Sequence, residues 1–250
     1  MEMQRVVLKF GGSVISDETA VIRVADVVKD LSIKYKIVAI VVSAMGKTTN
    51  NLDAMARRVA NDPAKSELDV LLATGEMQSA ALLAMRLKTI GISAISFNAW
   101  QFGIITDRNH GNAQITHIRE YMYADFSMIP VITGFQGITI EGSLTTLGRE
   151  GSDISAVMIA EHMKADFCWF FKNGGGIHDK NPNKNKDAKL LKCLSYKKML
   201  HIINNGRGQV LHQKSVEIAR KQRIPLFISG LDDPYVGTWI CSSGRVPKIH

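Results

Sequence analysis

Apolar residues along this chain switch between two periods. Residues 6–10 (VVLKF) make a short run closed by Gly11-Gly12. Residues 37–43 (IVAIVVS) make a continuous β-branched run of the kind that fills the middle of a sheet. Between them Val21, Val24, Val27, Val28 and Leu31 recur at helical spacing, which predicts a helix over 18–33. The Ala-, Leu- and Met-rich stretch 68–87 predicts a second helix, and strands follow at 93–97 and 131–134. Helices are then predicted at 153–163, 196–204 and 214–222, and strands at 167–171, 226–229 and 237–240. This alternation predicts an α/β fold: a three-layer sandwich with a mainly parallel central sheet and two lobes. Such sheets bind ligands beyond the carboxyl ends of their strands, so the strand-to-helix turns are where chemistry is sought. The polar stretch 179–187 (DKNPNKNKD) reads as an exposed loop near the boundary between the lobes.

Composition narrows the class. With 250 residues, 46% hydrophobic and 22% charged, the chain is an ordinary globule with core enough to need no staples. Its three cysteines are widely spaced and form no Cys-x-x-Cys pair, which argues against a disulfide framework or a structural zinc and for a reducing compartment. The first ten residues lack the basic flank and cleavage site of a signal peptide. The longest apolar run, 37–45, is far below the roughly 20 residues that span a bilayer. A cytoplasmic protein without membrane association is expected. The net charge of +8 is local: 1–160 carry 15 basic and 16 acidic residues, 161–223 carry 14 and 5, and 224–250 carry 2 and 2. The basic segment has no interleaved aromatics and no reader motif, so nucleic acid is not the expected partner.

Three turns carry candidate chemistry. Lys9-Phe10-Gly11-Gly12-Ser13 follows a strand directly. Glycines there let backbone N–H groups approach an anion, and a lysine at the strand end reaches the same anion as a point charge. Its spacing matches neither Gly-x-Gly-x-x-Gly nor the P-loop. Ser43 to Asn50 offers hydroxyls and free backbone donors after the second strand. Thr145 to Asp153 (TTLGREGSD) leads into a helix. Capping accounts for Ser152 and Asp153 there, but not for Arg149, whose planar fork suits a carboxylate. Glu76, read as standing at a helix start after Gly75, is either a first-turn acid or a ligand for an ammonium group.

Taken together, the stretches KFGGS (9–13), VVSAMGKTTN (41–50), LLATGE (71–76), AWQFGIITDRNHGNAQI (99–115), PVITGFQG (130–137) and TTLGREGSDISAVMIA (145–160) closely resemble the catalytic domain of aspartate kinases, within the amino acid kinase family. A weaker likeness continues through 194–200, 210–219 and 224–229. The resemblance implies the amino acid kinase (carbamate kinase-like) fold, one domain over 1–250. Its lobe at about 1–160 would take L-aspartate, and its lobe at about 161–245 would take ATP with Mg2+. The implied reaction gives 4-phospho-L-aspartate, the first step toward lysine (through diaminopimelate), threonine and methionine, in a homodimer. Carried over by position, Lys9 and Asp153 are the catalytic pair, with Asp153 orienting Lys9. Thr49, Glu76, Phe135, Arg149 and Ser152 form the aspartate pocket: Glu76 holds the ammonium and Arg149 the α-carboxylate. Gly11, Gly12, Ser13, Ser43, Lys172, Asn173, Gly176, His178 and Gln209 join Lys9 on the nucleotide side. No protein metal ligand is implied. His110 matches a substrate-side loop, or satisfies a backbone carbonyl.

The likeness breaks on the nucleotide side. Where the family reads Thr-Asp-Val-Asp-Gly-Val-Tyr-Thr-Ala-Asp-Pro-Arg, this chain reads KNGGGIHDKNPN (172–183), so both early aspartates become Asn173 and Gly175 and the final arginine becomes Asn183. The family's lysine before Val-Leu-His is Gln209, near which Arg207 offers a substitute. An altered grip on the nucleotide is expected, and a non-catalytic aspartate-binding or regulatory protein, or a kinase of another small acid, is the alternative. The chain ends soon after 237–240, so the paired ACT domains that usually follow, and feedback through them, are not expected in it.

Overall fold

The computed structural model describes residues 2–119, 127–180, 182, 184–205 and 210–242. Strands β1 (Arg5–Phe10), β2 (Lys36–Val42), β3 (Ala94–Phe97), β6 (Ile129–Thr133), β9 (Phe167–Phe171), β10 (Cys193–Ser195), β11 (Leu226–Ser229) and β12 (Gly237–Cys241) form one sheet. Its order is β10-β12-β11-β9-β1-β2-β6-β3, parallel except where β11 meets β12. The oldest rule of such sheets explains the composition of the central strands: they are covered on both faces, so β1, β2 and β9 are apolar at nearly every position.

The two faces bury separate cores. Val6, Leu8 and Phe10 of β1 pack with α1 (Glu18–Ser32) and α3 (Lys65–Thr89). Val7 faces the other way, toward α5 (Gly151–His162), α6 (Tyr196–Asn204) and α7 (Gln213–Gln222). That is the expected three-layer sandwich. Lys9 alternates with Leu8 and Phe10 and therefore also faces α5. At the top of the sheet Phe10 stacks on Phe171 at 4.6 Å, and Trp169 on Phe171 at 5.4 Å, which stiffens the strand ends that carry the site.

Several elements differ from the sequence reading. The turn after β2 runs into a helix, α2 (Thr48–Val59). The helix expected over 68–87 begins a turn earlier, as α3, and runs for 25 residues. By length and composition α3 is able to cross a membrane, but Asp69, Glu76 and Ser79 are buried along it against the domain, which marks a core helix. Between α3 and α5 lies a second sheet of short strands: β4 (Ile104–Thr106) follows the one-turn α4 (Ala99–Phe102), and β5 (Ile115–Ile118), β7 (Gln136–Ile138) and β8 (Leu144–Thr146) complete the order β5-β4-β7-β8. Strands of three or four residues leave too little periodicity to be read from sequence.

Candidate active site

Lys9 is the last residue but one of β1 and is almost fully buried. Its Nζ lies 2.6 Å from Oδ1 of Asp153 in the first turn of α5. Asp153 also receives the ammonium of Lys172, one residue past β9, at 3.2 Å to Oδ1 and 3.0 Å to Oδ2. The backbone N–H of His212 approaches Oδ2 at 3.3 Å. Burial pushes the Asp153 carboxyl upward, but Lys9 and Lys172 overcome this and hold it at about 2. Burial lowers the pKa of Lys9; Asp153 pulls it back, while the neighbouring Lys172 lowers it further. Asp153 is thus an ionised anchor for two cations and not a proton acceptor.

Capping, the plain account of an acid at this position, does not describe Asp153; it stands against Lys9, where the resemblance puts it. Helix α5 starts at Gly151, and the residue at its N-cap is Glu150, in the left-handed region at φ 58° with no side-chain cap. Ser152 and Asp153 lie inside the first turn, leaving the carboxylate free to face β1 and β9.

The turn after β1 makes the floor of the site. Gly12 crosses so close to the turn after β2 that a Cβ on it would stand 2.5 Å from the Ala44 carbonyl oxygen. The N–H groups of Gly11, Gly12 and Ser13 donate to no described residue, whereas the carbonyls of Gly11 and Gly12 are engaged by Val14, Ile15 and Gly46. Donors left free beside two ammonium groups suit an anion. Here lies a cleft of about 350 Å³ lined by Lys9, Gly11, Gly12, Ser13, Ser43, Ser152, Asp153, Lys172 and Asn173, with Glu150 and Val210 at its rim. The Asn173 side chain ties the cleft across by donating to the Ser13 carbonyl at 3.2 Å. Five stretches of the chain converge there, and eight of the expected site residues besides Lys9 line the same cleft.

Others stand apart from it. Gly176 and His178 belong to a loop pinned to β12: Ile177 N–H donates to Thr238 Oγ1 at 2.8 Å, and His178 bridges Leu190. Gln209, with Arg207 and Asn183, lies outside the described residues. Thr49 is half-buried in the first turn of α2, and Arg149 is exposed with no ion pair to a described residue. Phe135 is buried in the left-handed region at φ 69°, its N–H held by Ser155 Oγ at 3.1 Å. A non-glycine in that conformation is costly and is kept where the surroundings fix it.

Glu76 does not start a helix; it sits in the middle of α3, with Gly75 allowing Ala44 to pack within 2.8 Å of where a Cβ would be. Its Oε1 accepts the Ala44 N–H at 3.0 Å, and its Oε2 is buried with no partner. Burial raises its pKa to about 7, against the opposing pull of the Ala44 N–H and of Lys9. Among the other buried acceptors that lack partners are Oγ1 of Thr133 and Oε1 of Gln136, whose amide nitrogen donates to Ala73 in α3. Unpaired buried acceptors suit a ligand that brings donors, such as an ammonium.

Sequence reasoning missed Asp69. This buried carboxylate accepts from His110 Nδ1 at 2.9 Å, from the Gly111 N–H at 3.0 Å and from the Thr146 hydroxyl. It fastens the 107–114 loop and β8 to α3. A carboxylate at a helical position that should be apolar is the only sequence signal it leaves. Among the described residues no three His, Cys, Asp or Glu side chains cluster to hold a metal. Of the two acids that line the cleft, Asp153 is committed to two lysines and Glu150 stands exposed at the rim.

The amino acid kinase family profile matches residues 4–230. The chain is 41% identical over 238 residues to the aspartokinase of Geobacillus stearothermophilus, covering 94% of this chain and 58% of that protein. It is 39% identical over 241 residues to aspartokinase 2 of Bacillus subtilis, covering 95% and 59%. It therefore spans a little under three-fifths of these relatives. Among solved structures, an aspartate kinase from Synechocystis superposes with a TM-score of 0.83 at 35% identity, over 96% of this chain and 40% of that one. The E. coli aspartokinase III complex with aspartate and ADP superposes at 0.85 with 23% identity, over 98% and 65%, a likeness of fold.

Proposed function

The chain belongs to the amino acid kinase family, and on that footing we propose that it transfers the γ-phosphoryl group of ATP to the β-carboxylate of L-aspartate. One oxygen of that carboxylate forms a bond to phosphorus as the bond from phosphorus to the β,γ-bridging oxygen breaks. The products are 4-phospho-L-aspartate and ADP. The nucleophile is already ionised at neutral pH, so no base is required, in keeping with an Asp153 committed to two lysines. What remains for the protein is positioning and neutralisation of charge on the transferring group.

The observation that carries this reading is a cationic, amide-lined cleft with buried Glu76 beside it: Glu76 holds the N–H of Ala44, whose carbonyl packs on Gly12, and feels the charge of Lys9 while its Oε2 stays unpaired. Lys9 and the Gly11–Ser13 amides take the phosphates. Buried Glu76, with its unpaired Oε2, takes the ammonium. Arg149 closes on the α-carboxylate, and Thr49, Phe135 and Ser152 shape the pocket. Mg2+, when bound with the nucleotide, supplies further neutralisation of phosphate charge. The basic excess of 161–223 belongs to the nucleotide lobe in this reading, and the protein works as a cytoplasmic homodimer. The alternative, aspartate binding without transfer, draws on Asn173 and Gly175, which leave 172–178 without a carboxylate. Incubation with ATP, Mg2+, aspartate and hydroxylamine decides between them. Hydroxamate should form with the wild type and fall about 10²–10³-fold in Lys9→Ala. Aspartate binding with no hydroxamate supports the alternative.

A further inference from the structure

Strands β1 and β9 are parallel neighbours in register, with Lys9 opposite Phe170 and Phe10 opposite Phe171. One step further, Gly11 comes level with Lys172, so the lysine at the end of β1 and the lysine after β9 rise on either side of the same glycine. A Cβ at Gly11 would lie 3.7 Å from Lys9 Nζ and 3.9 Å from Lys172 Cδ. Between the two ammonium groups stands a single carboxylate, Asp153, fully buried and bonded to both. Its one negative charge balances one lysine and leaves the other over. The nearest further acid, Glu150, is exposed at the rim. A surplus positive charge at the base of a cleft, beside three amides that donate to no described residue, calls for an anion with more than one oxygen to share.

The two lysines are not equivalent. Lys9 has 4% of its side chain exposed and Lys172 19%, so Lys172 is the one that opens onto the cleft. We infer that Lys172 is a second catalytic lysine: Asp153 orients it together with Lys9 so that the two ammonium groups bracket the phosphoryl group in transfer. Lys172 is then more than a nucleotide-side contact, because its charge acts on the group whose bonds change. The inference rests on the phosphoryl-transfer reading, though not on which carboxylate accepts the group.

The test uses the full chain with Lys172→Met and Lys172→Arg. Hydroxamate formation gives kcat and the KM for aspartate; calorimetry gives affinities for Mg-ADP and for the Mg-bound, non-hydrolysable β,γ-imido analogue of ATP. Lys172→Met should lose at least about 30-fold in kcat with KM for aspartate within about three-fold. It should also lose most of the wild type's preference for the analogue over ADP, and Lys172→Arg should recover part of both. Unfolding temperatures within a few degrees of wild type establish that Lys172→Met still folds. Should it be destabilised, the milder Lys172→Arg carries the comparison. Unchanged kcat and an unchanged analogue preference in Lys172→Met overturn the inference. If the wild type forms no acyl phosphate with aspartate, the aspartate reading fails, and the analogue-against-ADP comparison still decides the lysine. A wild type with no such preference overturns it as well.

Discussion

Replacing Glu76 by Gln separates what this residue does for binding from what it does to stability. In the folded chain Glu76 is 3% exposed, with its pKa raised from 4.5 to about 7 by burial. An acid whose folded pKa is raised binds its proton more tightly in the folded state. Stability is therefore highest below pH 4.5, is lost as pH climbs from 4.5 to about 7, and is level above. The full gap of about 2.5 pH units corresponds to about 3 kcal/mol at pH 8, and to under about 1 kcal/mol at pH 5. Gln keeps the acceptor for the Ala44 N–H and resembles the protonated acid, so it avoids this loss. Urea unfolding of both proteins at pH 5 and pH 8 should show Glu76→Gln gaining about 2–3 kcal/mol on the wild type between the two. At the same time it should bind L-aspartate about 10–100-fold more weakly at pH 8, through loss of a charge-assisted hydrogen bond, as read by calorimetry. In the wild type, kcat/KM for aspartate should rise with pH up to about 7 and then level, and this limb should vanish in the variant. A stability difference equal at both pH values, or unchanged aspartate affinity, would refute the reasoning.

Three further outcomes follow from the geometry. Gly12→Ala places a methyl 2.5 Å from the Ala44 carbonyl oxygen, so the two turns must separate; nucleotide titration should show binding lost while circular dichroism stays native. Arg149→Lys keeps the charge without the planar fork, so KM for aspartate should rise at least about ten-fold with kcat little changed, measured by hydroxamate formation. Asp69→Asn weakens the bonds from His110, Gly111 and Thr146 and should lower the unfolding free energy by about 2 kcal/mol, read from urea midpoints.

The sheet was legible because its central strands are buried on both faces, and residues such as 37–42 and 167–171 must then be apolar throughout. Lys9 stands out as a charge inside such a run beside Gly11-Gly12, which by itself also suits a plain tight turn; its role comes from the resemblance. Glu76 was found as a residue but placed wrongly, since Gly75 reads as a helix boundary when its purpose is the close approach of Ala44. By position alone Asp153 reads equally as a cap or a buried anchor, since both leave an acid next to a helix start, and only the resemblance pairs it with Lys9. Asp69 and His110 are 41 residues apart, and nothing local marks the pair. The surplus of lysine over carboxylate at Asp153 emerges only when β1 and β9 are set side by side.

The central claim is that this cleft moves a phosphoryl group onto the side-chain carboxylate of aspartate. It is tested most directly with L-aspartate carrying 18O in the β-carboxylate, ATP, Mg2+ and hydroxylamine, followed by 31P NMR of the phosphate released. Attack by the labelled oxygen on phosphorus, then cleavage by hydroxylamine at carbon, puts that oxygen into the phosphate. The account therefore predicts an 18O-shifted phosphate resonance that grows about 10²–10³-fold more slowly in Lys9→Ala. Phosphate appearing at the same rate without label would contradict it.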